Sequence, residues 1–271
     1  MEKIPVRQGT DTIALILLKS LLPWIVIILG IICWELIVLI FKIPEFILPS
    51  PIKIFQSLWD YKVVILENAM HTLITTTIGF FLAIAIGLIG GVLLGSSVLI
   101  YEAFYPALIA FNSVPKVALI PILVIWFGIG TVPAIITAFL LSFFPIMVNV
   151  STGIAGVEPE LRDVLRALGA TRLQMIYKVG IPRAMPYFFA SLKVAMTVAF
   201  VGSIVSETVA SNNGVGYLIL VASSRFQVPL AFACLFITGV LGILMYSICA
   251  YIEKRTTGWS TRGIEGVSFS N

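Results

Sequence analysis

Six stretches of this chain are long and apolar enough to cross a lipid bilayer: roughly Leu21–Phe41, Asn68–Leu94, Phe104–Phe127, Thr131–Val150, Ala184–Ala210 and Pro229–Ile252. A spanning helix needs about 20 mostly apolar residues. The composition agrees, with 59% hydrophobic and only 11% charged residues, where a soluble domain carries about 25% charged. The expected fold is therefore an all-α polytopic membrane protein of six transmembrane helices. Its expected organisation is an N-terminal segment 1–20, a transmembrane domain 21–252 containing a charged loop 151–183, and a tail 253–271. A charged start runs into the first apolar stretch without a small-x-small cleavage site, so that stretch reads as an uncleaved first helix.

Lys and Arg in short loops set the orientation. The N-terminus carries Lys3, Arg7 and Lys19, and the C-terminus Lys254, Arg255 and Arg262. The stretch Glu160–Pro186 falls on the same side and adds Arg162, Arg166, Arg172, Lys178 and Arg183. The other side has Lys42, Lys53, Lys62 and Arg225. Both termini and the charged loop are thus expected to be cytoplasmic. Of the opposite loops, "SNNGVGYLILVASSRFQVP" contains an apolar patch too short to span, which reads as a re-entrant or interfacial piece.

In the second run Gly79, Ala83, Gly87, Gly91 and Gly95 recur at every fourth residue. On a helix they form a smooth ridge that lets another backbone approach closely, in this chain or in a second copy.

Little here supports covalent chemistry. His71 is the chain's lone histidine, which supports neither a metal site nor a Ser-His-Asp arrangement. Cys33, Cys234 and Cys249 lie in apolar runs and read as small hydrophobes. Gly90–Ser97, "GGVLLGSS", has P-loop glycine spacing without the phosphate-binding Lys. No basic run with interleaved aromatics suggests a nucleic acid. No catalytic residue, metal or nucleotide site is expected in this chain.

Glu35, Lys116 and Glu207 lie within apolar runs, where ionisable groups are functional candidates by default. Lys116 sits between Pro115 and Pro121, and two prolines free backbone carbonyls of the kind that line cavities. Asn112, Lys116 and Glu207 are the candidate translocation-pathway residues; the bland alternative is a Lys116–Glu207 ion pair or snorkelling. Lys193 is expected to snorkel to the cytoplasm.

The charged loop has helical grammar. Pro159 suits a first helical position, with Glu158 and Glu160 favourable at an N-terminus. Leu161, Val164, Leu165 and Leu168 form one apolar face, and Arg162, Asp163 and Arg166 lie off it. Gly169 is a stop. Thr171 restarts a helix, with Gln174 completing a capping box, and Leu173, Ile176 and Val179 continue an apolar face up to Pro182. Two short amphipathic helices joined by a glycine turn could be a DNA-binding helix-turn-helix. Here, however, membrane runs begin about ten residues away on either side, so the loop reads as a docking element for a partner.

These residues resemble the cytoplasmic "EAA" loop of inner-membrane permeases of binding-protein-dependent ABC importers, E-A-A-x3-G-x9-I-x-L-P. Here the register reads Asp163-Val164-Leu165, three residues, Gly169, nine residues, Val179-Gly180-Ile181-Pro182. The acid, glycine and proline are kept; Val-Leu replaces Ala-Ala. The stretches "LPSP", "VPKVALIPILVIWFGIG", "FFPI" and "SETVASNNGVGYLI" are similar to the nitrate/sulfonate/taurine-type branch, and the resemblance runs from about Ile47 to Arg255.

The resemblance implies a type I importer permease fold in a bacterial inner membrane, working as a homodimer. The docking surface on a separate cytoplasmic ATPase would be Glu158, Glu160, Leu161, Arg162, Asp163, Val164, Leu165, Arg166, Ala167, Leu168, Gly169, Ala170 and Thr171. Val179, Ile181 and Pro182 would shape the loop. ATP and Mg would bind the ATPase, not this chain. A periplasmic or lipid-anchored binding protein would deliver a small solute of the nitrate, bicarbonate, sulfonate, taurine, pyrimidine-precursor or aromatic-acid class. The competing class is a secondary transporter or channel, which often shows an inverted repeat; none is visible in the two halves.

Overall fold

The computed structural model describes residues 10–257, with side chains from Leu21 onward apart from that of Pro159. Lys3, Arg7, Arg262 and the side chain of Lys19, on which the orientation partly rests, lie outside the described residues. So does most of the tail 253–271.

Every regular element among the described residues is helical. In chain order they are α1 (Thr10–Ile40), α2 (Pro51–Asp60), α3 (Lys62–Ser96), α4 (Val98–Ser113), α5 (Ile120–Phe127), α6 (Thr131–Ala155), α7 (Pro159–Ala167), α8 (Arg172–Met175), α9 (Ile181–Ala210), α10 (Val215–Ser224) and α11 (Val228–Thr257). Five spans are long and apolar enough to cross a membrane: Leu21–Ile40, α3, α6, Arg172–Ala210 and α11. α4 and the segment Lys116–Phe127 qualify together as a sixth, bent by 75°. The bend has a sequence cause. Pro115 stands before the 3-10 turn Lys116–Leu119, and Pro121 opens α5. A residue preceding proline avoids the α region, and Val114 accordingly takes extended backbone at ψ 128°.

The chain divides into two compact units. The described residues up to 62, with 222–233, form the first. There Ser50 caps α2, its side chain accepting from the Lys53 amide, with Pro51 next in line. Glu35 Oε2 accepts from the Ile52 amide at 3.3 Å, Lys53 pairs with Glu45, and Trp34 meets the Phe232 ring at 6.2 Å.

Residues 63–221, with the described residues from 234 onward, form the second unit. Its core joins Phe80 and Ala83 of α3, Ile146 and Val150 of α6, Ala195 and Phe200 of α9, and Met245 and Cys249 of α11. The ridge of small residues on α3 meets α6 of the same chain. A Cβ added at Gly79 would lie 2.6 Å from Ala138 Cβ, at Gly87 2.8 Å from Ile146 Cβ, at Gly91 2.6 Å from Val150 Cβ, and at Gly95 2.8 Å from Ile154 Cβ. Four-residue spacing on one helix is thus answered by four-residue spacing on the other (138, 146, 150, 154). Lys193 of α9 does not simply snorkel: its Nζ lies 2.6 Å from Glu253 Oε2 on α11.

The charged loop leads directly into α9. α8 passes into a π-helical turn, Ile176–Gly180, and then α9 begins with Pro182 in its first turn. A wide turn suits this place, because Pro182 has no N–H to give to a preceding carbonyl. The proline therefore does not end the helix, and Arg172–Ala210 continues as one 39-residue helical segment.

Candidate functional site

Three constellations of ionisable and polar groups lie in the second unit.

The first is α7 and its flanks. α7 ends in a Schellman motif: Ala170 N–H donates to Leu165 O and Gly169 N–H to Arg166 O, each at 2.9 Å. The motif needs a left-handed residue, and Gly169 has φ +79°. Thr171 and Gln174 then form a complete capping box, each side chain bonded to the other's backbone N–H. The apolar stripe of α7 is not packed away: Leu161 is 37%, Val164 56% and Leu168 78% exposed. Leu165 alone turns inward, facing a cleft shared with Leu94, Ile154 and Val179. Asp163 and Arg166 are exposed beside the stripe, 3.4 Å apart.

Two ties fix α7 to the bundle. Arg162 Nη2 donates to Ala155 O at 2.6 Å and Val157 O at 3.0 Å, satisfying carbonyls left open where α6 ends. Glu158 accepts two bonds from Arg183, at 2.5 and 2.6 Å, in a fork-to-fork pair with the foot of α9. The Arg183 guanidinium, helped by a backbone bond, holds the Glu158 carboxyl below the usual carboxylate range. Sequence reasoning did not find this pair; a separation of 25 residues across two turns leaves no spacing signal.

The second constellation is at the bend. Lys116 is buried, and its Nζ donates to Asn112 O and Asn112 Oδ1, both at 2.8 Å. Asn112 O is one of the carbonyls freed where α4 stops, so a cation sits where the helix dipole favours it. The Phe111 ring lies 5.8 Å from Nζ. Asn112 and Lys116 are thus brought together, and Lys116 takes its partners from its own bend rather than from Glu207.

The third surrounds Glu207, fully buried near the far end of α9 from Arg183. Its Oε2 accepts from Thr72 Oγ1 at 2.7 Å and Gly216 N–H at 3.2 Å, and its Oε1 from Thr75 Oγ1 at 3.2 Å. Thr75 Oγ1 also bonds Ser203 Oγ at 2.8 Å. His71 Nδ1 stands 3.8 Å from Glu207 Oε1, and its Nε2 is 3.2 Å from Thr131 Oγ1 on α6. The lone histidine, unpromising as a catalyst, therefore belongs to a polar cluster. Thr72, Thr75 and the preceding Asn68 lie on one face of α3 at helical spacing, a sequence signal available beforehand.

The family described as binding-protein-dependent transport system inner membrane component matches residues 83–258. The formylaminopyrimidine transport permease protein of Halalkalibacterium halodurans is 30% identical over 242 residues, covering 89% of this chain and 96% of that protein. The riboflavin transport system permease protein of Chloroflexus aurantiacus is 30% identical over 228 residues, covering 83% and 85%. A chain of the MetNI methionine ABC transporter, solved in inward-facing conformations, superposes with a TM-score of 0.64 at 20% identity, covering 72% of this chain and 97% of that chain.

Proposed function

This chain belongs to the family of binding-protein-dependent transport system inner membrane components, and we propose how it performs that role. It is a multi-pass permease subunit of an ABC importer, with the type I importer fold. In the proposed mechanism, α7 is the helix through which a separate cytoplasmic ATPase drives it. The observation that carries this reading is the exposed stripe of Leu161, Val164 and Leu168, on a helix placed outside the apolar runs. An apolar patch left open beside charged groups marks an interaction site. Residues 158 and 160–171 make up the docking surface, with Asp163 positioned for basic groups on the ATPase. ATP and Mg belong to that partner.

Closure of the ATPase on ATP moves α7. Arg162 passes the motion to α6, and the Glu158–Arg183 pair passes it to α9, so the spans rock between inward-facing and outward-facing states. A second copy of the permease completes the pore in the bacterial inner membrane, with α7 and both termini on the cytoplasmic side. A periplasmic or lipid-anchored binding protein supplies the solute, which passes Asn112 and Lys116. The solute class is nitrate, bicarbonate, sulfonate, taurine, pyrimidine precursor or aromatic acid; the name of the formylaminopyrimidine relative falls within that set.

The test separates pathway from docking. The permease is reconstituted with its ATPase and binding protein, and Lys116→Ala is compared with the unaltered chain. Uptake kinetics change while ATPase assembly stays intact. Unchanged uptake would remove Lys116 from the pathway, and failure of the unaltered chain to co-purify with an ATPase would remove α7 from docking.

A further inference from the structure

We propose that Glu207 is a positioning residue, which pins the first turn of α10 to α3 and α9 and does so by hydrogen bonding rather than by its charge. The transport arm of the argument rests on the permease reading; the structural arm does not.

A helix begins with N–H groups that have no partner inside it, and each must find one elsewhere. At the start of α10 three consecutive N–H groups go to three different side chains. Gly214 N–H donates to Asn68 Oδ1 at 2.7 Å, Val215 N–H to Thr72 Oγ1 at 2.9 Å, and Gly216 N–H to Glu207 Oε2 at 3.2 Å. None of these acceptors is on α10. Two come from α3 and one from α9, so α10 is capped by the bundle itself.

The backbone is shaped for this. Gly214 has φ +104°, and a Cβ there would run into the Glu207 carboxyl. A Cβ on Gly216 would run into Ile204 O of α9. Both glycines let α10 come close enough to reach its caps.

The carboxylate is also braced from behind. Thr72 and Thr75 donate to it, and Thr75 is linked in turn to Ser203. Glu207 thus accepts three bonds, and two of the donors are hydroxyls that can rotate. Gln at this position can keep its carbonyl oxygen toward Thr72 and Gly216 and present its NH2 to Thr75, whose hydroxyl can turn to accept. A group that acts by shape and hydrogen bonding therefore tolerates Gln. A group that acts through its charge, or by exchanging a proton with solute or with His71, does not.

The experiment uses the full chain purified in detergent, for hydrogen exchange, and the same variants reconstituted with ATPase and binding protein, for uptake. In Glu207→Ala the amides of 214–216 exchange about tenfold or more faster, and uptake falls in its maximal rate. In Glu207→Gln amide protection and uptake both stay near those of the unaltered chain. Thr72→Val, which removes the Val215 cap while leaving the carboxylate, repeats the exchange effect of Glu207→Ala. Amides of 83–95, on the far half of α3, report whether any variant has unfolded globally; if Glu207→Ala has, Thr72→Val decides. Unaltered exchange at 214–216 in a folded Glu207→Ala or Thr72→Val variant overturns the anchor. Glu207→Gln with full protection but abolished uptake overturns the claim that charge is dispensable. Were the permease reading itself wrong, no uptake would be seen in any variant, and the exchange pattern would still stand or fall by itself.

Discussion

Gly169 allows a clean test of the docking turn, because its environment separates strain from clash. A Cβ built there meets nothing within 4 Å, while its φ is +79°. A side chain at this position therefore costs only what the left-handed backbone costs, about 1–2 kcal/mol for an ordinary L residue. Asn tolerates that region best after Gly, and a β-branched residue tolerates it least. The series Gly169→Asn, Gly169→Ala and Gly169→Val thus grades one variable. If α7 docks only with its Schellman turn formed, apparent affinity falls with the fraction of molecules holding that turn. Once the left-handed state no longer dominates, 1–2 kcal/mol corresponds to roughly 5–30-fold weaker binding. Titration of purified ATPase subunit onto nanodisc-embedded permease should give affinities in the order Gly, Asn, Ala, Val, with thermal stability of the spans unchanged. Equal affinity across the series would refute the reasoning. Asn as weak as Val would also refute it, because that would implicate side-chain bulk in space that is empty in the free chain.

Three further outcomes follow from the packing and the ion pairs. Gly91→Ala places a Cβ 2.8 Å from Met147 O as well as against Val150, so α3 must retreat from α6 at a cost of about 1–3 kcal/mol; thermal unfolding in detergent should show it, while Gly30→Ala, where a Cβ meets nothing and helix propensity favours Ala over Gly, does not lower the midpoint. The Glu158–Arg183 tie should be insensitive to pH through the neutral range: Glu158 is held below its ordinary range, so the tie is present above the unfolded carboxylate value of about 4 and is lost only as pH falls through the depressed folded value. Amide exchange of α7 across a pH titration checks this, and loosening between about pH 6 and 8 would count against it. For Lys193 and Glu253, 26% and 22% exposed in their side chains, either single change to Met should destabilise more than both together, since a single change leaves the other charge without its partner.

The elements with local causes were legible in the chain, and those that depend on helix rotation were not. Gly169, Thr171 and Gln174 act on backbone within three residues of themselves, and the turn and capping box appear where those residues predict. The small-residue ridge on α3 was equally plain, but its partner was not, because a smooth face fits α6 of this chain as well as a helix of another copy. The polar cluster shows the limit most clearly. Glu207 and Thr72 are 135 positions apart, and nothing in either apolar run tells which of its faces will turn toward the other. A span that is apolar all round carries no stripe from which to read its rotation. The exception lies in the few polar residues it does carry. Asn68, Thr72 and Thr75 share one face of α3, and in a medium without water a polar face must find partners. Read that way, the chain offered one row of acceptors and donors on α3 and one lone acid near the end of α9. It also offered a Gly-Val-Gly whose N–H groups would begin a helix with nothing to cap them. Each of the three is incomplete alone, and together they satisfy one another.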